Sequence, residues 1–398
     1  MSGVATHSDR FIGRTVPVVA MSAFFLAYTA SGATLAHLFL TLVGIWALRT
    51  RPADPAIIRI GLWFIGLYAL VVAVDFANGD IGESIETTVA AYLPLLGILP
   101  AAAVMAQADV PGASLDRVLA GTIVIGAALN GILFLQADFP RAGGLGISPI
   151  VFGFVILSWA MLALARALED WPRRAWLFGP VVLSFLPMAL TGTRMVVICA
   201  LIGFAIILLH WVIRGRRWVL LLPFGTGLVL LAALAGYAFR FRWQVLKNHA
   251  QIFIETGELV PGSFGARVEM LRLGIDAFRA APLIGHGRSN QIAAALEQAT
   301  PGSVDLSHQN TLHNEYLVHM VSFGLFGLVF VLVFLGLLIW ISRGIADPAL
   351  RGFGYAWTAM LAVFMLSNIA FNSGPMSGTV CFVAALLLAA RARQATPA

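Results

Sequence analysis

The run NEYLVHMVSFGLFGLVFVLVFLGLLIWI, Asn314 to Ile341, decides the fold. From Tyr316 onward it carries no Asp, Glu, Lys or Arg until Arg343. Roughly 20 apolar residues suffice to cross a hydrocarbon core, so this run reads as a membrane span. Working outward, apolar runs recur along the whole chain. They predict helices at 14–30, 32–48, 56–75, 87–107, 117–136, 147–166, 173–191, 194–213, 217–239, 314–341, 354–371 and 374–391. Ser31-Gly32-Ala33 and Asn372-Ser373-Gly374-Pro375 supply the turn chemistry for tight re-entries. The composition agrees: 60% hydrophobic and 11% charged residues, with a mean hydropathy of +0.89. A soluble domain carries about 25% charged residues, and the deficit here is spread evenly, which argues against a soluble enzyme on one anchor. A transmembrane barrel would show alternating strands of about 10 residues, whereas these runs are continuous. The fold class expected is an all-α polytopic membrane protein of about 12 transmembrane helices with one long periplasmic loop containing an amphipathic helix. Residues 1–239 form an N-terminal bundle of about nine helices, 240–313 the loop, and 314–398 the C-terminal helices. Cys199 and Cys381 lie inside apolar runs, without metal-ligand spacing, and read as packing residues. The first apolar run lacks a small-residue cleavage site and leads straight into further spans, so no cleavable signal is expected.

The net charge of +6 does not point to nucleic acid, because the basic residues sit in short clusters between spans. With a cytoplasmic N-terminus, alternate connections carry Arg49 and Arg51, Arg117, Arg173 and Arg174, Arg214, Arg216 and Arg217, then Arg343 and Arg351. Arg391 and Arg393 follow at the C-terminus. The opposite short connections carry Asp75, Asp80, Glu83 and Glu86 in one case and only Arg141 in another. This is the positive-inside pattern, with both termini cytoplasmic. Arg194 breaks it, as do Arg240, Arg242, Lys247, Arg267, Arg272, Arg279 and Arg288 in the long outer loop. Long loops are exempt from the rule, so positive charge stands on the outer face where topology did not require it.

Within that loop, Ala266 to Ala280 predicts a helix ended by Ala281-Pro282. Val268, Leu271, Ile275 and Phe278 form its apolar stripe, and Gly274 weakens it. Asp276 is spaced to pair with Arg272 or Arg279. An amphipathic helix at the outer interface is the reading. Pro282-Leu283-Ile284-Gly285-His286-Gly287 follows as a glycine-punctuated turn.

Three features could carry chemistry. Thr191-Gly192-Thr193-Arg194 delivers an arginine to a helix start, where N–H groups and a guanidinium fork suit a phosphate or diphosphate; an arginine snorkelling to headgroups is the alternative. Arg267 and Arg272 on the loop helix suit the same anion, or simply lipid headgroups. Thr311-Leu312-His313-Asn314-Glu315-Tyr316-Leu317 puts a histidine at the mouth of the longest span, where it could accept a proton near neutral pH. Nearby arginines would disfavour its charged form. Asn314 could cap the helix and Glu315 favour its first turn, which leaves a plain capping cluster as the other reading. His308 and His319 compete, but His319 lies deep for a polar sugar. The acids Asp75, Asp80, Glu83 and Glu86 have loop-like spacing and read as solvated.

The motifs T-G-T-R before a span, R-x-x-x-x-R with P-L-I-G-H-G in one outer loop, and H-N-E-Y-L opening the next span resemble the O-antigen ligase and polymerase superfamily over about 190–340. The N-terminal half resembles it only in hydropathy. The resemblance implies an inverting glycosyltransferase that moves a glycan from undecaprenyl diphosphate to lipid A–core oligosaccharide. It would act on the periplasmic face of a Gram-negative inner membrane, with membrane lipids as surroundings and no nucleic acid. It implies that Arg194 and Arg267 grip the donor diphosphate, with Arg272 a weaker candidate, and that His313 is the base, with Asn314 and Glu315 in support. No cofactor is expected. A metal is not expected either, because the first outer connection has no acid to hold one and arginines can neutralise the leaving group. An O-antigen polymerase is the nearest alternative, disfavoured by the single long loop. A protein-directed oligosaccharyltransferase would usually have a longer C-terminal region. A secondary transporter would gather charge near the bilayer midplane, where this sequence has almost none.

Overall fold

A computed structural model describes residues 7–49, 51–79, 83–108, 112–136, 143–214, 244–300, 303–306, 308–371 and 374–393. The described residues form helices and connections with no strand; Thr29 and Leu145 make one isolated bridge. The helices are α1 (His7–Leu26), α2 (Gly32–Leu48), α3 (Pro55–Ala77), α4 (Glu83–Tyr92), α5 (Ile98–Gln107), α6 (Gly112–Gln136), α7 (Pro149–Glu169), α8 (Phe178–Leu183), α9 (Phe185–Leu190) and α10 (Arg194–Ile213). Then come α11 (244–256), α12 (Ser263–Ala280), α13 (Gln291–Leu296), α14 (Glu315–Arg343), α15 (Pro348–Phe364) and α16 (Gly374–Ala392).

Among the described residues, seven helical stretches are long and apolar enough to cross a membrane: Pro55–Ala77, Ile85–Gln107, Gly112–Gln136, Pro149–Glu169, Arg194–Ile213, Glu315–Arg343 and Gly374–Ala392. Shorter apolar helices cover Thr15–Leu26, Gly32–Leu48 and Ala175–Leu190. The chain is therefore an α-helical polytopic membrane protein. The span expected at 217–239 lies outside the described residues, as do Asp80, Arg141, Arg216, Arg217, Arg240 and Arg242. Every residue of α7 from Val151 to Leu168 is buried, including Arg166, which pairs with Asp116, so this helix is the bundle's inner post. It packs on α6, α10 and α15. The outer helices keep apolar side chains outward: Leu35, Leu38, Leu42 and Ile45 of α2 stand exposed at helical spacing, which is the surface that hydrocarbon would cover. Cys199 and Cys381 are both buried and free, as packing residues should be.

Several expected spans shift at their ends, α1 to His7–Leu26 from 14–30 among them, and two differ for a physical reason. The helix expected at 354–371 begins at Pro348, because Asp347 accepts from the Leu350 N–H (2.9 Å) and proline presets the first turn. It ends at Phe364, and 365–371 crosses to α16 as a non-helical strap. The helix expected at 173–191 is divided at Ser184, whose hydroxyl donates to the Val181 carbonyl (2.6 Å).

The loop helix forms where expected but faces differently. α12 buries Met270, Leu273, Gly274 and Ala277, not the stripe of Val268, Leu271, Ile275 and Phe278, in which Leu271 is exposed. Gly274 is the cause: a Cβ there would stand 2.6 Å from Leu317 Cδ2. Small residues let α12 lie close against the start of α14, building a satellite core with Leu306, Leu312, Val318 and Val321. The larger apolar residues are left on the flanks and outer side.

Candidate active site

Arg194 reaches its position through a turn that only glycine adopts easily. Gly192 has φ 63, Thr193 is extended at φ −107 and ψ 106, and α10 then begins at Arg194. Arg267 projects from the first turns of α12 and donates through Nη1 to the Ser367 carbonyl of the strap (3.1 Å). Burial, and then the positive charge of Arg194, disfavour the protonated form of Arg267. These two guanidiniums, 73 residues apart in sequence, thus occupy one field although like charges repel. A shared anion would offset that repulsion.

His313 closes the group. It is the one non-glycine among the described residues with positive φ, at 49°. That left-handed geometry costs about 1–2 kcal/mol for a residue with a Cβ. Asn314 next to it is extended and caps α14, its Oδ1 accepting from the Leu317 N–H (3.2 Å). The imidazole Nε2 lies 3.2 Å from Gln309 Oε1. Burial, and secondly the charge of Arg267, pull the His313 pKa below the usual imidazole value. Arg194, Arg267 and His313 therefore converge from three separate elements, with Arg267 the electrostatic neighbour of both others.

Residues 179–332 match the family model of the O-antigen ligase, a stretch containing all three. No curated protein matches the chain. That stretch is similar to the O-antigen ligase family, and in coarse terms the match supports a membrane enzyme of the glycosyltransferase kind in O-antigen assembly.

Arg272 makes its contacts elsewhere. Its guanidinium takes both oxygens of Glu269 (2.6 and 3.3 Å) and donates to Ser303 Oγ (2.9 Å). Hydrogen bonding to Glu269 raises its pKa, so its fork is already committed. Asp276 pairs with Arg279 at 3.0 Å, one of the two spacings expected.

Glu315 is buried, and its role exceeds that of a first-turn acid. Its N–H donates to the Met365 carbonyl (2.8 Å) and its carboxylate accepts from the Ala370 N–H. Glu315 thereby holds both ends of the strap whose Ser367 carbonyl receives Arg267. Behind it, His319 is fully buried, receiving Tyr92 OH at Nε2 (2.8 Å) and donating from Nδ1 to the Glu315 carbonyl (2.9 Å). Arg288 stacks over the Tyr92 ring at 4.9 Å, and its backbone N–H donates to Asp75 Oδ1 (3.1 Å). The reading of the Asp75 group as solvated is thus corrected for Asp75, which is fully buried, while Glu86 is exposed as expected. Its partner lies 213 residues onward, beyond any local pattern.

The glycine-punctuated turn is the latch of this network. α14 breaks at Gly324 (φ 61, ψ −142), and the turn fills the break. His286 and Gly287 donate to the carbonyls of Val321 and Ser322 (2.9 and 3.0 Å), and Leu325 donates to the Pro282 carbonyl (2.8 Å). Backbone groups released by the break are therefore satisfied by the loop. A Cβ on Gly285 would stand 2.5 Å from the Ser322 carbonyl carbon, and one on Gly324 would overlap Leu283. Among the described residues no three His, Cys, Asp or Glu side chains gather as a metal site.

Proposed function

We propose that this protein is an O-antigen ligase, transferring a glycan from undecaprenyl diphosphate to lipid A–core oligosaccharide at the periplasmic face of the inner membrane. The observation carrying the proposal is the convergence of Arg194 and Arg267 beside His313.

Two guanidiniums offer planar forks of donors matched to a diphosphate. They neutralise the charge that develops as the anomeric C–O bond breaks, the electrostatic task that otherwise falls to a divalent cation. Donor binding relieves the repulsion between the two arginines, so part of their mutual strain favours the bound state. His313 is held neutral by its burial and by Arg267. With Gln309 Oε1 accepting from Nε2–H, the lone pair lies on Nδ1. That nitrogen takes the proton of the acceptor hydroxyl as its oxygen attacks the anomeric carbon. The new C–O bond forms from the face opposite the diphosphate, the old one breaks, and the electron pair leaves on undecaprenyl diphosphate. The anomeric configuration inverts. Arg272 supports the loop and does not contact the donor. Both termini stand in the cytoplasm, where the basic short connections belong.

Purified protein given lipid-linked glycan together with lipid A–core tests this. Product on lipid A–core, formed also in the presence of chelator, is the expected result. Longer lipid-linked chains would mean a polymerase, and loss of product with chelator that magnesium restores would refute the metal-free mechanism. Arg194→Lys keeps the charge but loses the fork, so its transfer rate is expected to fall at least tenfold; near-full activity would return Arg194 to a headgroup anchor.

A further inference from the structure

Next to His313 the outer loop encloses an open groove of about 460 Å³, a size that takes small organic molecules. Leu259, Pro261 and Val304 supply apolar surface, and Ser303, Asp305 and Gln309 supply polar groups. From this groove we infer the acceptor subsite: it takes the terminal pyranose of the acceptor, with Asp305 and Ser303 gripping its hydroxyls. The inference rests on the ligase reading and names where the second substrate of that reaction lies.

Three features argue for a sugar here. A pyranose presents a face of C–H groups and a rim of hydroxyls, and the lining has both complements. Ser303 Oγ already accepts from Arg272 Nη2 (2.9 Å) and from the Thr300 N–H (3.0 Å). With its lone pairs engaged, its proton is left to donate. Asp305 is exposed at the groove and only accepts when ionised. Together they offer a donor and an acceptor two residues apart, the pair that vicinal hydroxyls require. Arg272 gains an explanation as well, since it stands behind Ser303 and fixes the orientation of that hydroxyl.

The position selects the acceptor over the donor. Gln309 lines the groove and also touches His313 at 3.2 Å, so a sugar seated there lies one side chain away from the base. Neither Arg194, Arg267 nor the strap lines the groove. The diphosphate grip and the groove are thus separate places joined through the Gln309–His313 contact, as the two substrate sites of one displacement must be joined.

The test compares Asp305→Ala and Val304→Trp with the wild type, each checked for an unchanged thermal transition. Initial rates are measured with lipid A–core varied at saturating donor, and the reverse. The KM for lipid A–core is expected to rise at least tenfold in both variants, with the KM for lipid-linked glycan unchanged. An unchanged acceptor KM, or a raised donor KM, overturns the assignment. If the wild type itself transfers nothing to lipid A–core, the ligase reading falls and the inference with it. If the wild type transfers and the variants keep their acceptor KM, the inference alone falls.

Discussion

Glu315→Gln probes the strap without touching either substrate. The carboxylate receives the Ala370 N–H and, in its field, the N–H of Phe371, while Oε1 lies 3.3 Å from His319 Nδ1. Glutamine keeps the oxygen that receives Ala370 and sets an NH₂ in place of Oε1, facing the Nδ1–H of His319 donor to donor. A buried NH₂ without an acceptor costs about 1–3 kcal/mol. The strap is the element that gains freedom, and the Ser367 carbonyl on it is the partner of Arg267. If that cost is felt as lost order at Arg267, donor affinity weakens by roughly 5–150-fold, from about 1.4 kcal/mol per tenfold. The assay is the donor KM at saturating acceptor, in wild type, Glu315→Gln, Arg267→Ala and the double variant. The two changes are expected to be non-additive by more than about 0.5 kcal/mol, the range within which independent sites sum. A folded Glu315→Gln protein with unchanged donor KM, or strict additivity with Arg267→Ala, would refute the argument that Glu315 acts through the strap.

Four further outcomes follow from the same geometry. His313 titrates below the ordinary imidazole value, chiefly through burial and secondly through Arg267, and its neutral form is the base. Activity should therefore persist as pH falls through about 6.5, the ordinary value, and decline only below it. Arg267→Gln removes a cation that disfavours protonation, so the acid limb of kcat/KM should move to higher pH; an unmoved limb contradicts the electrostatic link. Gly324→Ala imposes a Cβ at φ 61 and against Leu283, costing about 1–2 kcal/mol for the backbone alone. Its thermal transition in detergent should fall, while Gly336→Ala, with open space around it in the same helix, should leave the transition in place or raise it. Ser303→Ala, which removes one groove donor and leaves Arg272 its bidentate Glu269, should weaken lipid A–core binding without altering the donor KM.

The sequence disclosed what is set by composition and short-range spacing. Runs without charge predicted the helices, and the arginines that break the charge pattern pointed to the group proposed as the site. Arg194 opens α10, Arg267 lies in the second turn of α12 and His313 precedes the cap of α14, positions that short motifs disclose. Where packing decides, the reading failed. The face of α12 was misassigned because the large residues Val268 and Leu271 looked like the core stripe, whereas close approach to Leu317 selects Gly274 and Ala277. Asp75 looked like a loop acid because Arg288 is remote in sequence. The left-handed backbone of His313 leaves no trace in residue type, since histidine rarely needs it. Glu315 was placed correctly at a first turn, but its hold on the strap depends on a span that ends at Phe364 and not at 371.

The most direct test of the paired-arginine and histidine account is single-turnover transfer by His313→Ala in liposomes, with lipid-linked donor binding measured on the same protein. The account predicts that donor binding survives, because Arg194 and Arg267 are intact, while glycan transfer to lipid A–core drops by 10²-fold or more, the contribution of a positioned base. Transfer at the wild-type rate by folded His313→Ala protein would contradict it.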